Sequence, residues 1–283
     1  MFGPNKHLEY LVNVDESHRD LSFRYKYLET VNQFKEKFGL QDYDVLFIGG
    51  SGTIGIESIF FSCKNKIEVI GKEGVFKDRW KKLSKLYSKS SEEGANLFCQ
   101  LETSNSQTFY KENCYVDAIS SFPYYDIPNP SKVFATCSNK QLGSLIGLSI
   151  VAVKKDSWSD FVDERTFSYL NLSRYKFFQR SNQTPSTTPT YIFDHLLEKL
   201  KKINVDQLRE TINNNCKKIR LKISEENIIG ESICPVMTVK KTSIEKSLAE
   251  KYQIYGVNNS SGYYQIFTYN NQSEALENMI RSL

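Results

Sequence analysis

Residues 43–57 read YDVLFIGGSGTIGIE, a stretch that decides how the rest of the sequence is interpreted. Tyr43–Gly49 is a short apolar run typical of a buried strand, and the glycine-rich turn after it leads into an apolar segment of helical character. Glycines let a backbone approach a ligand closely, and free N–H groups at the start of a helix favour an anion, most often phosphate. The pattern predicts a phosphate cradle at Ser51, Gly52 and Thr53. A tight turn without a ligand is the alternative, because the Walker lysine and the full GxGxxG spacing are absent.

The alternation of short apolar strands with helices continues through the first half of the sequence. Further strands are predicted at 66–71, 96–102, 115–120, 132–137 and 148–153. Helices are predicted at 21–38, closed by a glycine cap at Gly39, and at 79–89. Such alternation is typical of a parallel sheet covered by helices. We therefore expect an α/β fold with a mostly parallel sheet flanked by helices.

The sequence changes character after Lys155. Residues 156–189 are polar and irregular, and the rest mixes helices with strands at 190–219 (with a break near Asn204), 232–239, 243–252 and 272–283. This mixture predicts a smaller α+β domain at the C-terminal end. We expect a large domain over residues 20–189, and a small domain built from residues 1–19 plus 190–283.

Composition excludes several classes of protein. The 283 residues carry 37 basic and 33 acidic side chains, and this small excess is spread too thinly to indicate a nucleic-acid surface. The longest apolar stretch is far shorter than the roughly 20 residues of a membrane helix, and no signal peptide is recognisable. The six cysteines form no CxxC pair and the three histidines are scattered, so neither disulfides nor a metal site is expected. These features favour a cytoplasmic protein.

Two further residues are candidate site residues when they are considered together with the predicted phosphate cradle. Asp117 ends an apolar strand, where an unpaired carboxylate is costly to bury, although an Asp that caps the next segment is the alternative. Lys140 lies between two apolar stretches, where desolvation lowers the pKa of an amine and suits imine formation, although a surface lysine is the alternative. Together, an anion cradle, a strand-end carboxylate and a semi-buried lysine are the three fixed points of a pyridoxal phosphate site.

Six segments carry a more specific pattern, in the order 47–57 (FIGGSGTIGIE), 74–79 (GVFKDR), 101–104 (LETS), 116–122 (VDAISSF), 138–140 (SNK) and 187–190 (TTPT). With these segments the sequence resembles class V aminotransferases of fold type I, which use pyridoxal phosphate. The resemblance is closest to the 2-aminoethylphosphonate–pyruvate transaminase group, with its alanine–glyoxylate and serine–glyoxylate relatives. It extends from residue 18 to about residue 200, and the segments are specific as a set rather than singly.

The resemblance implies a role for each matching residue. Ser51, Gly52 and Thr53 match the phosphate-binding residues, while Asp117 matches the partner of the ring nitrogen and Lys140 the Schiff-base lysine that also moves the proton.

Around the ring, Phe76 matches the stacking aromatic, Ile119 packs on the opposite face, Thr103 lies near the phenolic oxygen, and Asn139 is a further cofactor contact. Thr187 matches a residue that reaches the phosphate of the neighbouring subunit's cofactor, which implies a homodimer with shared sites.

The sequence departs from the family pattern in places that concern the substrate. The stretch between Arg79 and Glu102 is much shorter than in typical relatives, which implies that a strand and a helix of the large domain are missing. Lys77 replaces a glycine after the stacking aromatic. Relatives carry an arginine near the C-terminus that clamps the substrate carboxylate, and the stretch aligned with it here offers Thr268. Threonine cannot form a bidentate clamp.

Three arginines are candidates to bind an anionic group of the substrate, namely Arg19, Arg79 and Arg180, and Arg19 is the first of them. The alternative for each is a surface charge, which is the more frequent role of such an arginine. The resemblance implies an aminotransferase that moves an amino group from a small amine, such as 2-aminoethylphosphonate, to a keto acid such as pyruvate. A pyridoxal-phosphate-dependent lyase or decarboxylase, and a non-catalytic protein that keeps the fold, are the alternatives.

Overall fold

A computed structural model of the chain describes residues 16–89, 94–163, 168–181, 183–185, 190–258, 260–269 and 273–283. Within these ranges, no helix combines the length and the apolar character needed to cross a bilayer. The same ranges contain no group of three or more His, Cys, Asp or Glu side chains placed to hold a metal ion.

The first half of the chain alternates strands and helices as predicted. Helix α1 (Leu21–Phe38) has the predicted bounds, and Gly39 closes it in the left-handed conformation, with φ of 66°. The elements that follow are β1 (Tyr43–Gly49), α2 (Gly52–Ser62), β2 (Lys66–Ile70), α3 (Val75–Leu86), β3 (Gly94–Cys99), β4 (Leu101–Glu102), β5 (Gln107–Thr108), β6 (Tyr115–Asp117), β7 (Val133–Cys137) and β8 (Leu148–Lys154).

Six of these strands form the central sheet, in the order β1-β8-β7-β6-β3-β2. Strands β2, β3, β6 and β7 pair in parallel, whereas β8 runs antiparallel to both of its neighbours, β7 and β1. This mostly parallel sheet flanked by helices confirms the predicted fold class. The carboxyl ends of β3, β6 and β7 lie side by side at one edge of the sheet, the usual place for a ligand in such folds.

In the second half of the chain, the described residues form five α-helices and three strands. They are α4 (Leu172–Arg180), α5 (Tyr191–Lys202), α6 (Val205–Arg220), β9 (Ile228–Ile229), β10 (Val236–Lys240), α7 (Lys246–Lys251), β11 (Tyr263–Phe267) and α8 (Ser273–Ser282). The predicted break near Asn204 is confirmed, because the Asn204 side chain caps α6 by accepting the amide N–H of Gln207. Helix α4 lies in the region predicted to be irregular, where Asn171 caps it in the same way.

Buried apolar side chains form three clusters. Two of them cover opposite faces of the central sheet, and neighbouring residues of β1 such as Leu46 and Phe47 belong to different clusters because strand side chains alternate. The third cluster packs α6, α7 and α8 on the antiparallel sheet β11-β10-β9. Helix α5 contributes Phe193 and Leu196 to the same cluster as α1. The division into two domains with the bounds given above stays a prediction.

Candidate active site

A cavity of about 380 Å³ lies at the carboxyl-terminal edge of the parallel strands. Its lining includes nine of the residues predicted from the sequence, namely Ser51, Gly52, Thr53, Phe76, Thr103, Asp117, Ile119, Asn139 and Lys140. Two strand ends explain the convergence, because Asp117 is the last residue of β6 and Lys140 follows the end of the adjacent strand β7. Residues that are far apart in the sequence therefore line the same cavity.

The start of helix α2 forms one end of the cavity. Ser51 is the N-cap residue and its side chain makes no capping hydrogen bond, so the first helical N–H groups are not covered by it. A Cβ atom added to Gly52 would lie 2.9 Å from the Ile119 side chain, so the close contact here requires glycine. Gly50 precedes them with φ of 131°, a conformation that side chains disfavour. A helix start of this kind favours an anion.

Asp117 is buried and holds both of its oxygens in hydrogen bonds. Oδ1 accepts the amide N–H of Ile119 at 3.0 Å, and Oδ2 accepts the indole N–H of Trp80 at 2.8 Å. Burial raises the pKa of the carboxyl to about 6, because desolvation penalises the charged form and outweighs the hydrogen bonds that favour it. The carboxylate is fixed in orientation and prepared to accept a further donor from the cavity.

Lys140 lies in the turn after β7 and is partly buried. Burial lowers the pKa of its amine below the usual value, although Cys137 and Asp117 act in the opposite direction. Its Nζ lies 5.2 Å from the centre of the Phe267 ring. A lowered pKa leaves more of the amine neutral near pH 7, which is the form that acts as a nucleophile.

Glu102 supports the cavity wall without lining it. Its carboxylate accepts the amide N–H groups of Phe76 and Lys77 at 3.1 and 3.0 Å, and so caps helix α3 from a different element. Its other oxygen accepts the Ser104 hydroxyl at 2.6 Å. Gly74 makes this contact possible, since a Cβ atom there would lie 2.2 Å from Glu102 Cγ. The cap fixes Phe76 relative to Thr103, which also lines the cavity.

The C-terminal part of the chain supplies a second wall that sequence reasoning missed. Gln265 and Phe267 lie on one face of β11, and they line the cavity with Gly256 and Val257. The Gln265 amide donates to the Thr103 carbonyl, which links this wall to the sheet side. These residues follow Asp117 by more than a hundred positions, so no local pattern relates them to it.

Thr268, the residue that the resemblance aligned with the carboxylate-binding arginine, does not line the cavity. It is fully buried, and its hydroxyl donates to the carbonyls of Cys234 and Pro235 at 2.9 and 3.1 Å. The residue of this segment that presents a polar side chain to the cavity is Gln265.

The remaining predicted substrate and cofactor residues lie elsewhere. Arg19, Arg79 and Arg180 are exposed, and none of them lines the cavity of this chain. Arg79 lies 5.8 Å from the centre of the Trp80 ring. Thr187 lies outside the described residues. The roles assigned to Arg19 and Thr187 stay predictions.

Other lining residues were given no role from the sequence, and they are Cys99, Leu101, Ser120, Cys137 and Ile146. A signal existed for Cys99 and Cys137, because each ends a strand next to β6 and strand ends of a parallel sheet meet at one edge. Trp80 was missed because its indole reaches Asp117 from a helix 37 residues earlier in the chain.

Comparison with known proteins places this geometry in a fold class. No protein-family model matches the sequence, and no curated protein matches it. Among solved structures, an alanine–glyoxylate aminotransferase from Nostoc sp. superposes with a TM-score of 0.80 at 16% identity, over 99% of this chain and 92% of that one. A subgroup IV aspartate aminotransferase from Thermus thermophilus gives 0.79 at 16% identity, over 95% and 92%.

A pyridoxal-phosphate-bound phosphoserine aminotransferase from Trichomonas vaginalis gives a TM-score of 0.74 at 16% identity, over 95% of this chain and 90% of that one. The chain therefore has the fold type I architecture of pyridoxal-phosphate-dependent aminotransferases, as the resemblance predicted. At 16% sequence identity, the structural similarity establishes the fold alone.

Proposed function

We propose that the chain is a pyridoxal-phosphate-dependent aminotransferase that moves an amino group from a small amine to a keto acid such as pyruvate. One observation carries the proposal. A single cavity brings together the open start of helix α2, the buried carboxyl of Asp117 and the amine of Lys140. These are the three kinds of group that a phosphorylated pyridine aldehyde requires.

The cavity residues fit the cofactor chemically. The first N–H groups of α2 and the hydroxyls of Ser51 and Thr53 would hold the phosphate. Phe76 and Ile119 offer apolar contact for a flat ring, and Thr103 and Asn139 offer polar groups for its substituents. The close approach of Gly52 to Ile119 leaves no room for a side chain at the cradle.

The environment of each residue suits one part of the proposed reaction. Asp117 would accept the ring N–H of the cofactor and keep that proton on the ring. Lys140 would hold the cofactor through its amine and, once the amine of the donor has displaced it, would take the proton from the amino-bearing carbon of the donor at its Nζ. The lowered pKa of the Lys140 amine favours both tasks. When bound, the cofactor supplies an electron sink for the negative charge that develops at that carbon.

The charges around the cavity favour a donor without an α-carboxylate. Lys140 is the one cationic residue among the described residues that line it, and the proposed mechanism already uses its amine. A carboxylate bound here would lack the charge-assisted pair that is worth roughly 1.5–3 kcal/mol. 2-Aminoethylphosphonate meets this condition at its amino carbon, although its phosphonate, like the carboxylate of pyruvate, needs a cationic partner. An amine without an anionic group, such as ethanolamine, is therefore the informative comparison.

A homodimer with shared sites belongs to the same proposal. Ile146 lines the cavity with 69% of its surface exposed, so the rim of the cavity is accessible to a second copy. Thr187 is the residue proposed to act across such an interface, at the phosphate of the neighbouring subunit's cofactor. The mass of the protein in solution tests the dimer, and we propose a cytoplasmic location for it.

The decisive experiment is spectroscopic. Purified protein is mixed with pyridoxal phosphate and the absorption band of the lysine-bound cofactor is recorded, then 2-aminoethylphosphonate, ethanolamine and alanine are added in separate runs. We expect the band to form, and to be converted to that of the aminated cofactor by the amines without an α-carboxylate. Regeneration of the band by pyruvate completes an aminotransferase cycle.

Other outcomes are equally clear. Release of carbon dioxide or an elimination product with the band retained would indicate a decarboxylase or lyase. A protein that forms no band would not be a pyridoxal phosphate enzyme.

A further inference from the structure

Trp80 is a buried residue that the proposed mechanism has not yet used. It lies on α3 with no exposed surface, and its indole N–H is 2.8 Å from Oδ2 of Asp117. An indole nitrogen donates a hydrogen bond and cannot accept one. The contact therefore stabilises the ionised form of the Asp117 carboxyl over the protonated form. The opposite oxygen is held by the Ile119 amide N–H at 3.0 Å.

Four other ionisable groups lie close enough to Asp117 to interact electrostatically with its carboxyl, so the Trp80 hydrogen bond has to be weighed against them. They are Cys99 at the end of β3, Glu102 in β4, and Cys137 and Lys140 at and after the end of β7. Desolvation and the Glu102 carboxylate both raise the pKa of Asp117, whereas the hydrogen bonds from Ile119, Trp80 and Cys99 lower it. Trp80 is therefore one of the few groups that keep this buried carboxyl ionised near neutral pH.

We propose that Trp80 is a positioning residue of this site, whose indole N–H fixes the rotamer of Asp117 and keeps it ionised so that it accepts the ring N–H of the cofactor. The inference rests on the proposed function. It adds a residue on a third element, α3, to the two strand-end residues that sequence reasoning identified. Because Glu102 caps the start of the same helix, α3 is held at both the cap and the Trp80 contact.

The chain contains its own control. Its second and last tryptophan, Trp158, also donates its indole N–H to an aspartate, Asp44, at 2.7 Å. Neither Trp158 nor Asp44 lines the cavity. Trp158→Phe and Trp80→Phe therefore remove the same kind of hydrogen bond, and each leaves one tryptophan as the only indole fluorophore.

The first measurement uses protein without added cofactor. Trp158→Phe retains Trp80, whose emission should change with pH as Asp117 titrates, with a midpoint near pH 6. The double variant Trp158→Phe/Asp117→Asn should lose this transition. A Trp80 emission that is flat from pH 4.5 to 7.5, or that titrates unchanged in the double variant, would overturn the proposal, and this test holds even if Trp80→Phe does not fold.

The second measurement uses the cofactor-loaded protein. Trp80→Phe should move the pH profile of the cofactor absorption band to higher pH and lower kcat by about 10- to 100-fold, the usual effect of a lost hydrogen bond to a charged group. Trp158→Phe should leave the profile in place and kcat within about twofold. If the absorption band forms normally in Trp80→Phe and its pH profile is unchanged, the role of Trp80 is refuted but the proposed function is not. Failure of the wild-type protein to form the band refutes the proposed function instead, while the emission test still reports on the pair.

Discussion

The two walls of the cavity are built from different kinds of side chain. On the sheet side, Asp117 and Lys140 are ionisable groups placed by strand ends and shifted in pKa by burial. On the C-terminal side, Phe267 and Val257 are apolar and Gln265 is neutral. Under the proposed function the two walls would have separate tasks, with the groups that handle protons on one wall and the groups that contact the rest of the donor on the other. Changes on the first wall should abolish the reaction, and changes on the second should alter which donor is used.

The largest effect is expected for Lys140→Ala. Without the amine, no covalent link to the cofactor can form, so treatment with borohydride should leave no cofactor attached to the protein. Mass spectrometry of the reduced protein measures the link. Lys246→Ala, which removes an exposed lysine, should retain it. A link that survives in Lys140→Ala would assign this lysine wrongly.

Asp117→Asn should lower turnover by several orders of magnitude while the fold is retained. The side chains are similar in size, but an amide cannot hold the ring proton as a carboxylate does, so the negative charge on the donor carbon loses its stabilisation. Steady-state kinetics with circular dichroism measures both effects. Asp44→Asn is the matched control, since that aspartate also accepts an indole N–H away from the cavity. A near-normal rate for Asp117→Asn would reduce this residue to a structural role.

Asp117 should also leave a signature in the stability of the protein without cofactor. Its pKa is raised from 3.8 to about 6 on folding, so its contribution is complete below pH 3.8 and is lost as the pH rises toward 6. The shift corresponds to roughly 3 kcal/mol. Urea unfolding measures the free energy of unfolding at pH 4 and at pH 7. Between these two values, wild type should lose about this much more stability than Asp117→Asn does. Equal changes in both proteins would contradict the burial argument.

On the other wall, Gln265→Arg should alter the choice of donor. An arginine from this position of β11 would supply a cation, and a charge-assisted pair favours an α-amino acid by about 10- to 100-fold. The ratio of kcat/KM for alanine and ethanolamine measures the change, and Gln265→Glu should not raise it. An unchanged ratio in Gln265→Arg would mean that β11 does not face the donor.

The smallest effect is expected for Arg19→Ala. The side chain is exposed and does not line the cavity, so KM for the donor and for pyruvate should stay within about twofold of wild type. A tenfold rise in KM would show that Arg19 reaches a substrate, from its own chain or from a second copy.

The sheet-side wall could be predicted from the sequence because its signals are local. The strand, glycine turn and helix around Ser51 are contiguous, and Asp117 and Lys140 each follow an apolar strand that is recognisable by itself. Helix α1 and its glycine cap have their predicted bounds for the same reason.

The C-terminal wall could not be predicted, because it depends on how distant segments meet. The alignment of the final strand pointed to Thr268, yet the alternation along β11 turns Gln265 and Phe267 toward the cavity. Glu102 and Trp80 act through contacts with residues 26 and 37 positions away, and no spacing rule connects such pairs.

The cap provided by Glu102 has a stereochemical consequence. Two described helices, α2 and α3, begin beside the cavity, and the Glu102 carboxylate already covers the start of α3. Under the proposed function, an anion entering the cavity would therefore bind at the start of α2, and a planar molecule held there and at Asp117 would keep one orientation. Lys140 would then always meet the same face of that molecule. Of the two enantiotopic hydrogens on a donor carbon, the protein would remove only one. In the reverse direction it would add a proton to the same face of that carbon.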